Sequence, residues 1–282
     1  MAAQQKQTVL RRLLKPFATK GTDRAGNASE AQRIQLPSPE NDARLRALHN
    51  RHQGRRAFVL GNGPSLSVED IERIQNEITF ASNKIYLIYK KTDWRPTYLT
   101  VCDFLVARNI RKQLLEQSGS QRIFAGGVSE HFRSGDDVIF SNWPSAAGDA
   151  AWDPLKGCRA GHSVVVFGIK LAWWMGIREI YLLGIDFSFK VPEKRTGEKV
   201  FGNDVIVSEG EVNHFDPDYR PSGEDWTVPQ LDAQREDFRQ ARAFVEDRGG
   251  KLINASRETK LDVLERQSLD DILATDPASA TR

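Results

Sequence analysis

A chain of 282 residues, 39% of them hydrophobic, is long enough to bury a real core in one domain with appendages, or in two domains at most. Its 40 Lys and Arg against 38 Asp and Glu leave a net charge of +2, without the strong basic excess of a dedicated nucleic-acid binder. That total is a cancellation: residues 1–56 carry twelve basic and four acidic side chains, a surplus of eight, and the remainder carries 28 and 34, a deficit of six.

Residues 1–40 are polar and show no strand pattern. Within them Val9, Leu10, Leu13, Leu14 and Phe17 share one helical face beside Arg11, Arg12 and Lys15. A basic amphipathic helix over residues 7–18 would suit peripheral contact with an anionic membrane; the plain alternative is a frayed tail. Residues 41–54 read as a short charged leader helix. From Arg55 onward, short apolar runs alternate with helical patterns. The candidate strands are Ala57–Gly61, Ile78–Asn83, Tyr98–Asp103, Arg122–Gly126, Val138–Asn142, Glu179–Phe187 and Lys251–Ala255. The candidate helices are Val68–Gln75, Ile85–Lys91, Phe104–Gln117, Ser163–Met175 and Leu231–Asp247. Strands this apolar, alternating with helices, predict an α/β, Rossmann-like domain with a mainly parallel sheet and helices on both faces. Two segments break the pattern: residues 143–162, rich in Ala, Gly, Pro and Trp, and the charged, irregular stretch 188–230. Directly after the most apolar strand, the latter reads as an active-site lid. The expected organisation is a basic arm and leader (1–54), a nucleotide-binding α/β domain (55–270) with its lid, and a disordered tail (271–282).

Two cysteines, Cys102 and Cys158, cannot make a disulfide framework or a four-ligand zinc site, and read as reduced thiols of a cytoplasmic protein. No signal peptide is visible, since the N-terminus lacks an apolar segment of adequate length. The longest apolar stretch, Val164 to Ile177, contains Lys170, is too short to span a membrane and fits a buried helix.

The most informative stretch is Gly61-Asn62-Gly63-Pro64-Ser65, where a strand runs into a tight turn and then a helix. Glycines allow close backbone approach and helix N-termini favour anions, so the turn suits a phosphate. It is neither a Walker loop nor a full dinucleotide fingerprint, and a simple Ser-capped turn would look the same. The acidic balance of the body supplies no bulk positive field, which assigns phosphate binding to the backbone N–H groups of this turn. In open α/β sheets ligands bind beyond the carboxyl ends of the strands. Asn62, Asn83, Asp103 and Asp186 each follow a predicted strand and would share that rim; a loop-stabilising carboxylate is the bland reading of Asp186.

The residues Gly61–Ser65 and Gly184-Ile185-Asp186-Phe187, with Gly161-His162-Ser163 and Gly176-Ile177-Arg178-Glu179-Ile180 between them, resemble bacterial sialyltransferases that use CMP-activated sugars. The layout is also similar to the MptE-like family, named after an archaeal 6-hydroxymethylpterin pyrophosphokinase and including flagellin-modifying glycosyltransferases. The resemblance covers roughly residues 55–264. It implies that Gly61–Ser65 hold donor phosphate and ribose, that Asn83 and Ser163 lie against the nucleotide, that Asp186 sits beside sugar or ribose, and that His214 falls near the catalytic histidine. Two tyrosines that would neutralise the leaving phosphate are missing: Ser188 stands at the first position, and the lid's only tyrosine, Tyr219, lies beyond His214.

These observations predict a glycosyltransferase that moves a sugar from a nucleotide-activated, CMP-linked donor to a cell-surface glycan or glycoconjugate, by inversion and with no tightly bound cofactor or metal. A histidine near neutral pKa is suited to deprotonate the acceptor hydroxyl. His214 is the first candidate, and His162, opening a helix on the rim, is the second. His49, His52 and His131 read as solvated, and the pair Trp173-Trp174 as core. The alternative enzyme is a pyrophosphokinase using ATP and Mg²⁺, with Asp103 and Asp186 as metal ligands and Lys84 or Arg159 on the phosphates. A nucleotide-binding protein without catalysis is the third reading.

Overall fold

A computed structural model of the chain describes residues 33–275, apart from 159, 194 and 201. The expected amphipathic helix at 7–18, Arg159 and the last residues of the tail lie outside the described residues. Helix α1 (Pro39–Arg46) opens the domain, with Ser38 accepting from Asn41 N–H and Pro39 in the first turn, where its missing N–H costs nothing. Strands β1 (Arg56–Leu60), β2 (Ile78–Ser82), β3 (Tyr98–Val101), β4 (Gln121–Phe124) and β5 (Ile139–Phe140) follow. They are linked by α2 (Val68–Arg73), a 3-10 turn (Ile85–Lys90), α3 (Phe104–Glu116) and a second 3-10 turn (Gly126–His131). Helix α4 (Val164–Trp174) leads into β6 (Glu179–Leu183). An insertion carrying β7 (Lys199–Val200), β8 (Asn203–Val207) and β9 (Asp225–Thr227) precedes α5 (Leu231–Glu246), β10 (Lys251–Asn254), β11 (Glu265–Arg266) and α6 (Leu269–Ala274).

The main sheet has the order β11-β10-β6-β1-β2-β3-β4-β5, and every pair in it is parallel. The chain enters at β1, works outward to β5, then crosses to the other side of β1 as β6. Strand order therefore reverses between β1 and β6, which pair from Arg56 with Glu179 to Leu60 with Leu183. Both faces of the sheet are covered. Ala57 and Val59 of β1 and Ile180 and Leu182 of β6 pack with residues of α4 and α5, including Phe167, Ala172, Phe238 and Val245. The alternate residues Phe58, Leu60, Tyr181 and Leu183 pack on the opposite face with Ile71 of α2, Ile110 and Leu114 of α3 and Ile272 of α6. This period-2 division explains why the strands read as continuous apolar runs: each residue buries its side chain on one face or the other. The expected α/β fold with helices on both faces is the observed one.

Several boundaries differ from expectation. Strand β6 stops at Leu183 rather than Phe187, because Gly184 (φ 66°) and Phe187 (φ 53°) take left-handed conformations that cannot continue a strand. The segment at 85–90 is a 3-10 turn, its Ile and Tyr side chains being weak helix formers in a short β2–β3 connection. The insertion is not wholly irregular, since β7, β8 and β9 form a small antiparallel sheet. Nor does order end at 270. Ser268 caps α6 by accepting from Asp271 N–H, as Ser67 caps α2 by accepting from Asp70 N–H. Ile272 is fully buried, and the Arg56 guanidinium donates to Ile272 O (2.9 Å) and Thr275 O (3.1 Å). Among the described residues no helix is long and apolar enough to cross a membrane.

Candidate active site

The turns after β1 and β6 meet where the strand order reverses, and they are bonded to each other. Gly61 N–H donates to Leu183 O (2.8 Å) and Gly63 N–H to Gly184 O (2.9 Å). Ser65 donates to the Asp186 carboxylate through its N–H (2.8 Å) and through its hydroxyl. A Cβ on Gly61 would stand 2.3 Å from Gly184 O, and one on Gly63 2.7 Å from Asp186 Cγ. The glycines are thus required for the contact between the two turns. The N–H groups of Gly61, Gly63 and Ser65 have protein acceptors and Pro64 has none to offer, which narrows the backbone donors this turn could turn toward a phosphate to that of Asn62. Burial raises the Asp186 carboxyl above its ordinary range, and the two Ser65 bonds pull it partly back.

Beyond these turns lies a cavity of about 500 Å³, walled by the carboxyl ends of the strands and by the insertion. The rim residues expected from the sequence line it: Gly61, Asn62, Gly63, Asn83, Asp103, Ser163, Asp186, His162 and His214; Pro64 and Ser65 stand behind the turn. Several of them have structural duties. Asp103 caps α3 by accepting from Val106 N–H (2.8 Å) and accepts from the Thr227 hydroxyl of the insertion (3.2 Å). Ser163 caps α4, whose N-terminus faces the cavity. Asn62 donates to Ser82 O (3.2 Å) and to the Tyr219 hydroxyl (3.1 Å), while its Oδ1 is buried without a partner. Asn83, in the left-handed region that asparagine tolerates (φ 54°), likewise has a buried, unpartnered Oδ1.

The insertion is folded down on this rim. Phe215 N–H donates to Asn62 O (2.9 Å), and buried Lys84 is held by both Glu224 oxygens (2.7 and 2.6 Å). Burial lowers the Lys84 pKa, with Glu224 opposing. His214 hydrogen-bonds through Nδ1 to Glu211 Oε2 (2.8 Å) and stacks on Tyr219, ring centroids 3.8 Å apart. The Glu211 side chain is 1% exposed. Burial alone would raise its carboxyl, but the His214 bond, the Asn213 N–H and Arg220 outweigh burial and hold it low. An ionised carboxylate only accepts, so Nδ1 carries the proton and Nε2 the lone pair. Burial holds the His214 pKa below its ordinary value, Glu211 partly opposing, so the ring is neutral at pH 7. His162 pairs with Asp237 Oδ2 (2.9 Å) at the outer rim.

Glu211, Tyr219 and Arg220 enter the site unannounced by the sequence. The Glu211-x-x-His214 spacing is the available signal for the first. The other two sit in a stretch whose charge reads as solvation. Two histidines expected to be solvated are not: His52 Nε2 meets the Tyr98 hydroxyl (2.6 Å), and His131 lies edge-on to Phe104 with its Nε2 buried and unpartnered. Trp173 and Trp174 pack against the core as expected. Among the described residues no group of three or more His, Cys, Asp and Glu is placed to hold a metal.

No family model and no curated protein sequence matches the chain. Solved structures with a similar fold are glycosyltransferases. The MAf glycosyltransferase from Magnetospirillum magneticum AMB-1 is 17% identical at a TM-score of 0.49, over 86% of this chain and 40% of that one, so the chain spans less than half of that enzyme's length. The sialyltransferase CstII from Campylobacter jejuni, in complex with the substrate analogue CMP-3FNeuAc, is 16% identical at 0.42, over 75% of this chain and 86% of that one. Its complex with cytidine-5'-monophosphate is 15% identical at 0.42, over 76% and 85%. These likenesses are distant, and the chemistry has to be read from the residues of the site itself.

Proposed function

We propose that this protein transfers a sugar from a nucleotide-activated donor to the hydroxyl of a glycan or glycoconjugate, with His214 as the base. The observation that carries the reading is the buried Glu211–His214 pair on the wall of a cavity at the strand-order reversal. Nε2 of the neutral ring takes the acceptor's proton as its oxygen bonds to the anomeric carbon. The bond from that carbon to the donor's phosphate oxygen breaks, and its electron pair leaves with the phosphate. A single displacement of this kind inverts the anomeric centre. The motifs Gly61–Ser65 and Gly184–Phe187 support a CMP-linked donor through their resemblance to CMP-sugar enzymes.

A thermal-shift panel of CMP, UDP, GDP and ATP, each with and without Mg²⁺, tests the reading. Stabilisation by CMP without metal is expected; stabilisation by ATP with Mg²⁺ alone would replace it with the kinase. His214→Ala is expected to bind CMP and to lose transfer, and equal turnover in that variant would remove His214 from the mechanism.

A further inference from the structure

The cavity wall holds a cation that forms no salt bridge among the described residues. Arg220 lies over the Trp226 ring, its guanidinium carbon 3.7 Å from the centroid, and its Nη1 is buried without a hydrogen-bond partner. The neighbouring carboxylates act on it only at longer range and are committed elsewhere, Glu211 to His214 and Glu224 to Lys84. Its backbone is fixed by the Ser208 hydroxyl on Arg220 O (2.9 Å). A guanidinium with a buried, unbonded N–H edge is costly, and burial accordingly lowers its pKa. Such a group is retained where an anion completes it. Arg220 follows Tyr219, whose hydroxyl touches Asn62, and it lines the same cavity as Gly61, Asn62 and Gly63 of the turn. Two further polar atoms on the same wall, Asn62 Oδ1 and Asn83 Oδ1, also wait for donors.

We propose that Arg220 is the phosphate receptor of this site, binding the phosphate of a nucleoside monophosphate group where the N–H groups of Gly61, Gly63 and Ser65 are already taken. The proposal rests on the glycosyl-transfer reading only for which nucleotide carries that phosphate. The planar fork of a guanidinium matches phosphate oxygens, and the contact with Trp226 holds the group in place in advance. In transfer it would meet the charge that the departing phosphate gains, the task left open by the missing tyrosines.

The test is calorimetric titration of the full chain and of Arg220→Met with CMP, cytidine and inorganic pyrophosphate. Methionine keeps much of the apolar contact of the stem and removes the charge. The expected result is a loss of at least about tenfold in affinity for CMP and pyrophosphate, an unchanged affinity for cytidine, and a Tm no lower than wild type. Equal CMP affinity in the variant overturns the proposal, and so does an equal loss for cytidine, which would mark a distorted cavity. Arg220→Lys, which keeps charge without the fork, is expected to fall between the two; an affinity no better than that of Arg220→Met would overturn the role of charge. A wild-type chain that binds neither anion also overturns it. Anion binding without sugar transfer would leave Arg220 in place and refute the transferase instead.

Discussion

Replacing Glu211 by glutamine changes one atom in a buried pair and is expected to disable the base while sparing the fold. The bond to His214 Nδ1 is 2.8 Å long, charge-assisted, and shielded from water. Bonds of this kind contribute about 1.5–3 kcal/mol, or roughly ten- to 150-fold in kcat if the loss falls on the transition state. The loss has a ceiling of about 10²–10⁴, the whole contribution of a general base, because an amide can donate to Nδ1 and move the ring proton to Nε2. KM for the donor is expected to stay near wild type, since the Glu211 oxygens are taken by His214 and by Asn213 N–H. The pH profile adds a second readout. Wild-type rate rises as pH climbs through the His214 pKa, which burial sets below its ordinary value. Glu211 is the main influence raising that pKa, so Glu211→Gln moves the rise to lower pH while lowering the plateau. Steady-state transfer from a CMP-sugar at a series of pH values measures both. A variant with kcat within about threefold of wild type and an unmoved limb would refute the dyad.

Three further outcomes concern the frame. Gly63→Ala places a methyl against Asp186 Cγ and Gly184 O, and is expected to destabilise the chain by about 2 kcal/mol or more in urea unfolding; a neutral result would show that the two turns need not touch. Arg56→Met leaves Glu77 without its buried partner and frees two carbonyls at the C-terminal helix, for a loss of about 3 kcal/mol in the same assay. A loss below about 1 kcal/mol would contradict that role. His131 is pushed down to about 4, first by burial and then by Arg108 and Arg133. Its neutral form is favoured in the fold, so the stability it holds is complete above about 6.5 and drains away as pH falls toward 4. Tm measured from pH 7 to about 4.5 is expected to fall less steeply for His131→Gln than for wild type, and parallel curves would remove His131 as the cause.

The sheet is legible in the sequence because each strand buries both faces, so β1 and β6 appear as unbroken apolar runs whatever surrounds them. The rim is legible for the same reason: a polar residue directly after such a run can only stand at its carboxyl end, as Asn62, Asn83 and Asp103 do. What those residues do there is less legible. The bonds between Ser65 and Asp186 leave no local mark, because they join residues 121 positions apart. The insertion defeats pattern reading altogether, because its side chains serve the site rather than a repeating face. Arg220 and Lys84 carry the charge of ordinary loop residues, and only packing separates the cation that is paired from the one that is not. The end of the domain is hidden too, because α6 is held by Arg56, a residue of β1 whose partner lies 216 positions away.

The bonded turns also determine where the molecule can bend. With Gly61, Gly63 and Ser65 fastened to the β6 turn, the floor of the cavity is one rigid block, and admission of a substrate cannot come from parting it. The insertion is fastened to the rim by its own contacts: Phe215 and Tyr219 on Asn62, Glu224 on Lys84, Thr227 on Asp103 and Asp216 on Lys90. None of them belongs to the strand pairing of the main sheet. If substrate enters by the lifting of this small antiparallel flap, turnover would be paced by its resettling, and His214 and Arg220 would travel with it while the bonded turns stood still.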